Sequence, residues 1–242
     1  MRRPAVRPAV RLPPLIVGIY TITFICGMLD AACFLGLGNV FAEIMTGNLV
    51  YLAFAVGTLG TGQQLTVLPY VVVLSTFAVG ALVGGRLVAL TGPLGRHRVG
   101  FAVEWVALLA ATMVTALTHA GAHGEPRFWV TGILAFGMGI QNAMVRRWGI
   151  PDLATNVMTL TMTGLIADSP LVGGPNTRAA RRAASIAIFF GSATLGAFLV
   201  RYGVIWPEVI AISVFTLALP VLHHAEKEGG GEGPPAGGPG HA

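Results

Sequence analysis

Charge is what this sequence has least of. Only 10% of its 242 residues are charged, whereas a soluble domain carries about 25%, and that shortfall excludes most soluble folds. Cysteine is equally scarce, with Cys26 and Cys33 the only two. They lie on one apolar run, and on a helix they share a face about 10 Å apart along the axis, too far for a disulfide. They read as buried small apolar side chains. No phosphate loop, zinc motif, Gly-x-Ser-x-Gly elbow or dinucleotide fingerprint occurs in the chain. That removes conventional soluble-enzyme chemistry and the cofactors those motifs hold. A basic stripe on a soluble face is missing too. The net charge of +5 comes from arginines set between apolar runs, which argues against nucleic acid as the partner. His223 and His224 lead into the Gly- and Pro-rich tail and are not read as a metal site.

What the chain does have is length of apolar run. Hydrophobic residues make up 54% of it, gathered into stretches that approach or exceed the roughly 20 residues a bilayer-spanning helix needs. Eight such segments can be drawn, at about 15 to 36, 40 to 58, 66 to 90, 99 to 119, 127 to 145, 153 to 169, 183 to 201 and 204 to 222. They predict an all-α, polytopic membrane bundle over residues 15 to 222 whose partner is the lipid bilayer. Residues 1 to 14 form a basic segment with Arg2, Arg3, Arg7 and Arg11. The run from Leu15 is too long for a signal-peptide core and reads as an uncleaved first span. Residues 223 to 242 are rich in Gly, Pro and charge and are expected to be disordered.

Segments two and six differ from the others. The first carries Glu43, Thr46 and Asn48, the second Thr155, Asn156, Thr159, Thr161 and Thr163. Their polar residues point all round the helix, so both are expected to be enclosed by protein. Arginine placement tests whether they cross, because Lys and Arg of short loops stay cytoplasmic. Eight crossings with an inner N-terminus put nine basic residues inside and six outside, namely Arg86, Arg96, Arg98, Arg146, Arg147 and Arg201. If segments two and six each enter and leave on one side, only Arg127 and Arg201 are outside, against thirteen inside. The expectation is therefore six spanning helices, two re-entrant or broken helices, and both termini in the cytoplasm of a bacterial cell with this as an inner-membrane protein.

An internal repeat agrees with that count. A displacement of 112 residues sets Phe24 on Phe136, Gly27 on Gly139 and Asp30-Ala31 on Asn142-Ala143, and Gly80-x-x-x-Gly84 on Ser192-x-x-x-Gly196. A displacement of 113 sets Asn39 on Asp152, Glu43 on Asn156, Thr46 on Thr159 and Asn48 on Thr161. Repeat one covers about 15 to 119 and repeat two about 127 to 222. With three crossings each, the second copy must be inverted, an architecture that recurs among transporters with broken helices at the midplane.

Asp30 is the sharpest candidate for chemistry, a carboxyl expected near mid-depth of the first span with no Lys or Arg within a helical turn. A central Asp costs roughly 2.5 to 3.5 kcal/mol on insertion scales, so it needs a partner, water or a proton. Two readings are open: a proton- or substrate-binding group, or a buried carboxyl that only joins helices. Glu43 is expected in the first turn of its helix, capped by Asn39 and complementing the helix dipole, or else at a ligand site. Asn156 follows Asp152, a candidate cap in the second copy. Thr46, Asn48, Gln141, Asn142 and Thr159 add neutral donors and acceptors, which suits a small polar solute or a proton. Glu104 and Glu208 fall near helix ends and are expected at the membrane interface. Gly80, Gly84, Ser192 and Gly196 read as close helix packing.

At these residues the chain resembles the YoaK family of bacterial inner-membrane proteins. The likeness runs through Gly27-Met28-Leu29-Asp30-Ala31-Ala32-Cys33-Phe34-Leu35-Gly36-Leu37-Gly38, Val40-Phe41 and Met45-Thr46-Gly47-Asn48-Leu49. In the second half it runs through Gly137-Met138-Gly139-Ile140-Gln141-Asn142-Ala143, Arg146 and the threonines around Thr155 and Thr159. One departure is Leu160, where the family's Thr-rich segment has a glycine. The resemblance implies the same multi-pass membrane fold and location and carries over no biochemical role. The functional expectation is a small-solute transporter coupled to protons, with no catalytic residue. The competing expectation is a membrane scaffold or partner subunit that moves nothing.

Overall fold

In the computed structural model the described residues are 13–62, 65–90, 96–148 and 158–229. Among them lie eight α-helices: α1 (Pro13–Gly36), α2 (Met45–Gly57), α3 (Leu68–Leu90), α4 (Arg96–Thr118), α5 (Pro126–Trp148), α6 (Met158–Ala167), α7 (Ala179–Val200) and α8 (Ile205–Gly229). Five of them, α1, α3, α4, α5 and α7, are long and apolar enough to cross a membrane. The apolar part of α8 ends at Pro220, giving a run of Ile205–Pro220. The helix itself continues to Gly229, past residue 222, so the first residues expected in a disordered tail are helical.

α1 and α5 are the innermost helices. Pro13 and Pro14 open α1, where their missing N–H groups would have no acceptor in any case, and the helix ends where Gly38 and Asn39 adopt φ of 109° and 60°. Small residues let it pack closely. A Cβ at Gly27 would strike Ser192 and Phe189 of α7, and Gly196 of α7 lies against Met28 and Ala31. α5 does the same with α3. Gly80 faces the Phe136 carbonyl, Gly139 faces Phe77 and Ala81, and Gly84 faces Ile140 and Ala143. The glycines and serine expected to permit close approach therefore do so. α1 also packs on α8, α5 on α4, and α4 on α8.

These contacts fix direction. Residue numbers rise together along α1 and α7, and again along α3 and α5, so each pair is parallel. Gly36 lies beside Val204, and Gly38 beside Arg127, which puts the ends of α1 and α7 and the starts of α5 and α8 at one end of the bundle. Being parallel to α5, α3 starts at that end as well. The chain thus leaves α1 and enters α3 on the same side, and α2 between them does not cross. By the same argument α6, between the end of α5 and the start of α7, returns to the opposite side. Length agrees: 13 residues of α2 and 10 of α6 extend about 20 and 15 Å, against a hydrocarbon core of about 30 Å.

The expected enclosure of these two short helices is not found. Only Asn48 and Ala55 of α2 and Thr161 of α6 are buried, while Leu49, Val50, Phe54, Leu160, Met162 and Ile166 are exposed. Each short helix packs chiefly on one neighbour, α2 on α3 and α6 on α7, so one side of it stays outside the protein. Its apolar residues take that side.

Candidate functional site

Between α1 and α2 the chain runs irregularly from Leu37 to Ile44, and side chains rather than a helical ladder hold it. Asn48 uses both ends of its amide on Phe41, accepting from the backbone N–H at 2.9 Å and donating to the carbonyl at 2.8 Å. Phe34 stacks on Phe41 at 4.8 Å. Asp30 Oδ1 accepts the Glu43 N–H at 2.8 Å, with the amides of Ala42 and Ile44 beside the same carboxyl. A carboxyl from α1 thus meets the free N–H groups that precede α2, as a side-chain cap would. Asn39 is not that cap. Its φ of 60° belongs to the end of α1, and α2 begins only at Met45, after Ile44, with no acidic residue in its first turn. Glu43 precedes the helix rather than lying inside it.

The start of α2 and the start of α6 face one cavity. Its volume is about 360 Å³ and it is lined by Glu43, Ile44, Met45, Thr46, Phe77, Met158, Thr159 and Phe189. Of the sequence-predicted residues it collects Glu43, Thr46 and Thr159, with Asp30 one hydrogen bond behind Glu43. Asn48 is elsewhere, pinned to Phe41. Gln141 is fully buried and donates to Cys26 Sγ at 3.2 Å, and Asn142 bonds its own helix at the Met138 carbonyl, 3.0 Å away. Neither lines the cavity. Asn156, with Asp152 and Thr155, lies outside the described residues. The polar wall of the cavity is one carboxyl and two hydroxyls. Two phenyl rings, two thioethers and the side chain of Ile44 supply the rest, and none of the lining residues among those described is basic.

Sequence reasoning missed Met45, Met158, Phe77 and Phe189. A signal for them was present, since displacement by 113 sets Met45 on Met158 and displacement by 112 sets Phe77 on Phe189. Glu208 is in the first turn of α8, near a helix end as expected, and Glu104 lies in the first half of α4. Both are enclosed by protein, Glu104 being 0% and Glu208 1% exposed. Both oxygens of Glu104 lack a hydrogen-bond partner, while Glu208 Oε1 accepts from Thr115 at 3.0 Å and Oε2 has none. Asp30 is six residues from the end of α1. That is about 6 Å beyond the middle of the span Ile16–Gly36 rather than at the midpoint. Both cysteines are free and buried.

At its far end α6 is tied to α7. Arg182 pairs with Asp168 at 2.7 Å and donates to the Gly164 carbonyl, and Asn176 bonds the Leu165 carbonyl at 3.0 Å.

Comparison with known proteins agrees with this architecture. The family described as "Protein of unknown function (DUF1275)" matches residues 19–222. The UPF0700 transmembrane protein YoaK of Bacillus subtilis (strain 168) is 27% identical over 144 residues, which is 59% of this chain and 61% of the relative. The aligned region thus spans about three fifths of that relative's length. No solved structure matches.

Proposed function

Since the chain belongs to the DUF1275 family, represented by a transmembrane protein, we propose that it is a small-solute membrane transporter coupled to protons. The observation that carries this reading is the cavity at the facing starts of α2 and α6. Three pairs of its lining residues, Met45 with Met158, Thr46 with Thr159 and Phe77 with Phe189, are pairs that the repeat displacement makes equivalent. The cavity therefore lies on the internal two-fold axis of an inverted repeat in which α1 to α4 correspond to α5 to α8. The packing supports such an axis. α1 on α7 corresponds to α5 on α3, α1 on α8 to α5 on α4, and α2 on α3 to α6 on α7. Gly196 against Met28 and Ala31 is the mirror of Gly84 against Ile140 and Ala143. α1 and its counterpart α5 run in opposite directions, as inversion requires.

A solute site shared by two inverted halves is suited to alternating access, in which one half rocks against the other. Glu43 breaks the symmetry, and with Asp30 behind it the first half supplies two carboxyls where the second has Asn142 and Asn156. A wall with one carboxyl, two hydroxyls and no basic group among the described residues is suited to a neutral or cationic polar solute and disfavours an anion. We place the protein in the bacterial inner membrane with both termini cytoplasmic, on the thirteen-to-two arginine and lysine bias, and assign it no catalytic step. The test is solute-induced thermal stabilisation of purified protein across a metabolite panel, followed by uptake into proteoliposomes. Asp30→Asn is expected to abolish uptake, and paired Thr46→Ala and Thr159→Ala to abolish stabilisation. Uptake that survives Asp30→Asn undisturbed would remove the proton site from this reading.

One observation favours a second reading. Asp30 and Asn48 both have structural work, capping and pinning the chain before α2, as a scaffold or partner subunit would require. That reading predicts a stability loss in the Asp30 variant, no stabilising solute, and copurification with a partner.

A further inference from the structure

The transport reading leaves two of the buried carboxyls unused. Glu104 of α4 and Glu208 of α8 are enclosed as completely as Asp30 and Glu43, the four being 0%, 1%, 3% and 2% exposed. No cation pairs with Asp30, Glu104 or Glu208 among the described residues. A lone carboxylate in such surroundings costs several kcal/mol unless a proton or water meets it.

Their order along the bundle is informative. Glu208 is in the first turn of α8, at the end where α1 stops. Asp30 lies about 6 Å beyond the middle of the span Ile16–Gly36 toward that same end, whereas Glu104 lies about 7 Å from the middle of the span Val99–Thr118 toward the opposite end. Cysteine side chains mark the intervals. Cys33 is within electrostatic reach of Asp30 and Glu208, and Cys26 within reach of Asp30, Glu43 and Glu104. Gln141, fully buried, donates to Cys26 and leaves its Oε1 without a donor. This neutral acceptor, unpartnered and deep in the bundle, is independent of the acids and requires a hydrogen-bonding guest. The groups are spread along the bundle instead of converging, and among the described residues no three His, Cys, Asp or Glu are placed to hold a metal ion.

We propose that Glu208, Asp30 with Glu43, Gln141 and Glu104 form a proton file through the bundle, with water bridging the gap between Gln141 and its carboxyl neighbours. The file rests on the reading of Asp30 and Glu43 as the transporter's proton site and extends that site toward both ends of the bundle. Each carboxyl accepts a proton from one neighbour and passes one to the next, so each is restored after a transfer and one positive charge moves per proton. Among the described residues the ionisable groups facing each member are few. Glu104 has Cys26. Glu208 has Thr115 as hydroxyl donor and Cys33. Asp30 has Glu43 and the two cysteines.

The test is infrared spectroscopy of the full chain in lipid vesicles, reading the C=O stretch of protonated carboxyls as pH is raised and after exchange into D2O. Glu104→Gln and Glu208→Gln are each expected to delete one deuterium-sensitive component. Solute-induced stabilisation is expected to survive in both, because neither residue lines the cavity. An acid band unchanged in either variant, or one that does not shift in D2O, overturns the file. Should either Gln variant fail to fold, Glu104→Asp or Glu208→Asp must keep a component at shifted frequency, and its absence overturns the file equally. The two readings fail separately: no stabilising solute sinks the transporter, whereas an unexchanging acid band sinks the file alone.

Discussion

At the residue scale the telling side chains are those that serve the backbone. Asp30 meets the amides that precede α2, and a short polar side chain of the same shape can still accept a hydrogen bond there. Asp30→Asn should therefore cost about 1 kcal/mol or less in thermal unfolding, while Asp30→Ala, which leaves buried N–H groups without an acceptor, should cost about 1 to 3 kcal/mol. Equal losses in the two would mean that the cap is not what Asp30 supplies. Asn48→Ala removes both bonds to Phe41 and should cost about 1 to 2 kcal/mol, with faster proteolysis between residues 37 and 44 as its local sign. Full protection of that segment in the variant would refute the assignment. Asp30 was legible in the sequence as a carboxyl that needs a partner. The partner was not, because it is a backbone N–H thirteen residues on, and backbone donors have no signature in composition.

At the scale of elements, hydropathy located all eight helices to within a few residues at most ends, since a long apolar run has few alternatives in lipid. It misjudged the start of α2 because the turn at Gly38 and Asn39 reads like a cap, whereas both residues are spent on ending α1. It could not show that Glu104 and Glu208 are covered by protein, because distance from a helix end says nothing about which neighbour covers the side chain. Small-residue spacing was more informative. Gly80 and Gly139 each sit where an added Cβ would strike backbone of the facing helix, which no rotamer change can relieve. Gly80→Val and Gly139→Val should each destabilise by about 1 to 3 kcal/mol. Gly85→Ala and Gly191→Ala, where a Cβ would meet nothing within 4 Å, should unfold like the parent. A tolerant Gly80→Val would show that α3 and α5 do not approach this closely.

At the scale of the molecule, the proposed inverted arrangement and the arginine bias depend on a single countable fact, the number of crossings. Eight crossings from a cytoplasmic N-terminus place Thr61, His123 and Leu171 all inside. Six crossings with returning α2 and α6 place Thr61 and His123 outside and Leu171 alone inside. All three lie in connections between helices, and Leu171 is 93% exposed, so single cysteines there should react readily, while Cys26 and Cys33 are buried and give little background. In intact cells an impermeant maleimide should label Thr61→Cys and His123→Cys and spare Leu171→Cys until the membrane is opened. The parallel pairing of α3 with α5 and of α1 with α7 demands that Thr61 and His123 share one side and Leu171 the other, and the arginine bias makes the shared side the outer one. A Thr61→Cys protected together with Leu171→Cys would put α2 across the membrane and reverse the direction of α3. The equivalence of the two halves would then fail, and with it the case for a shared cavity on the axis between them.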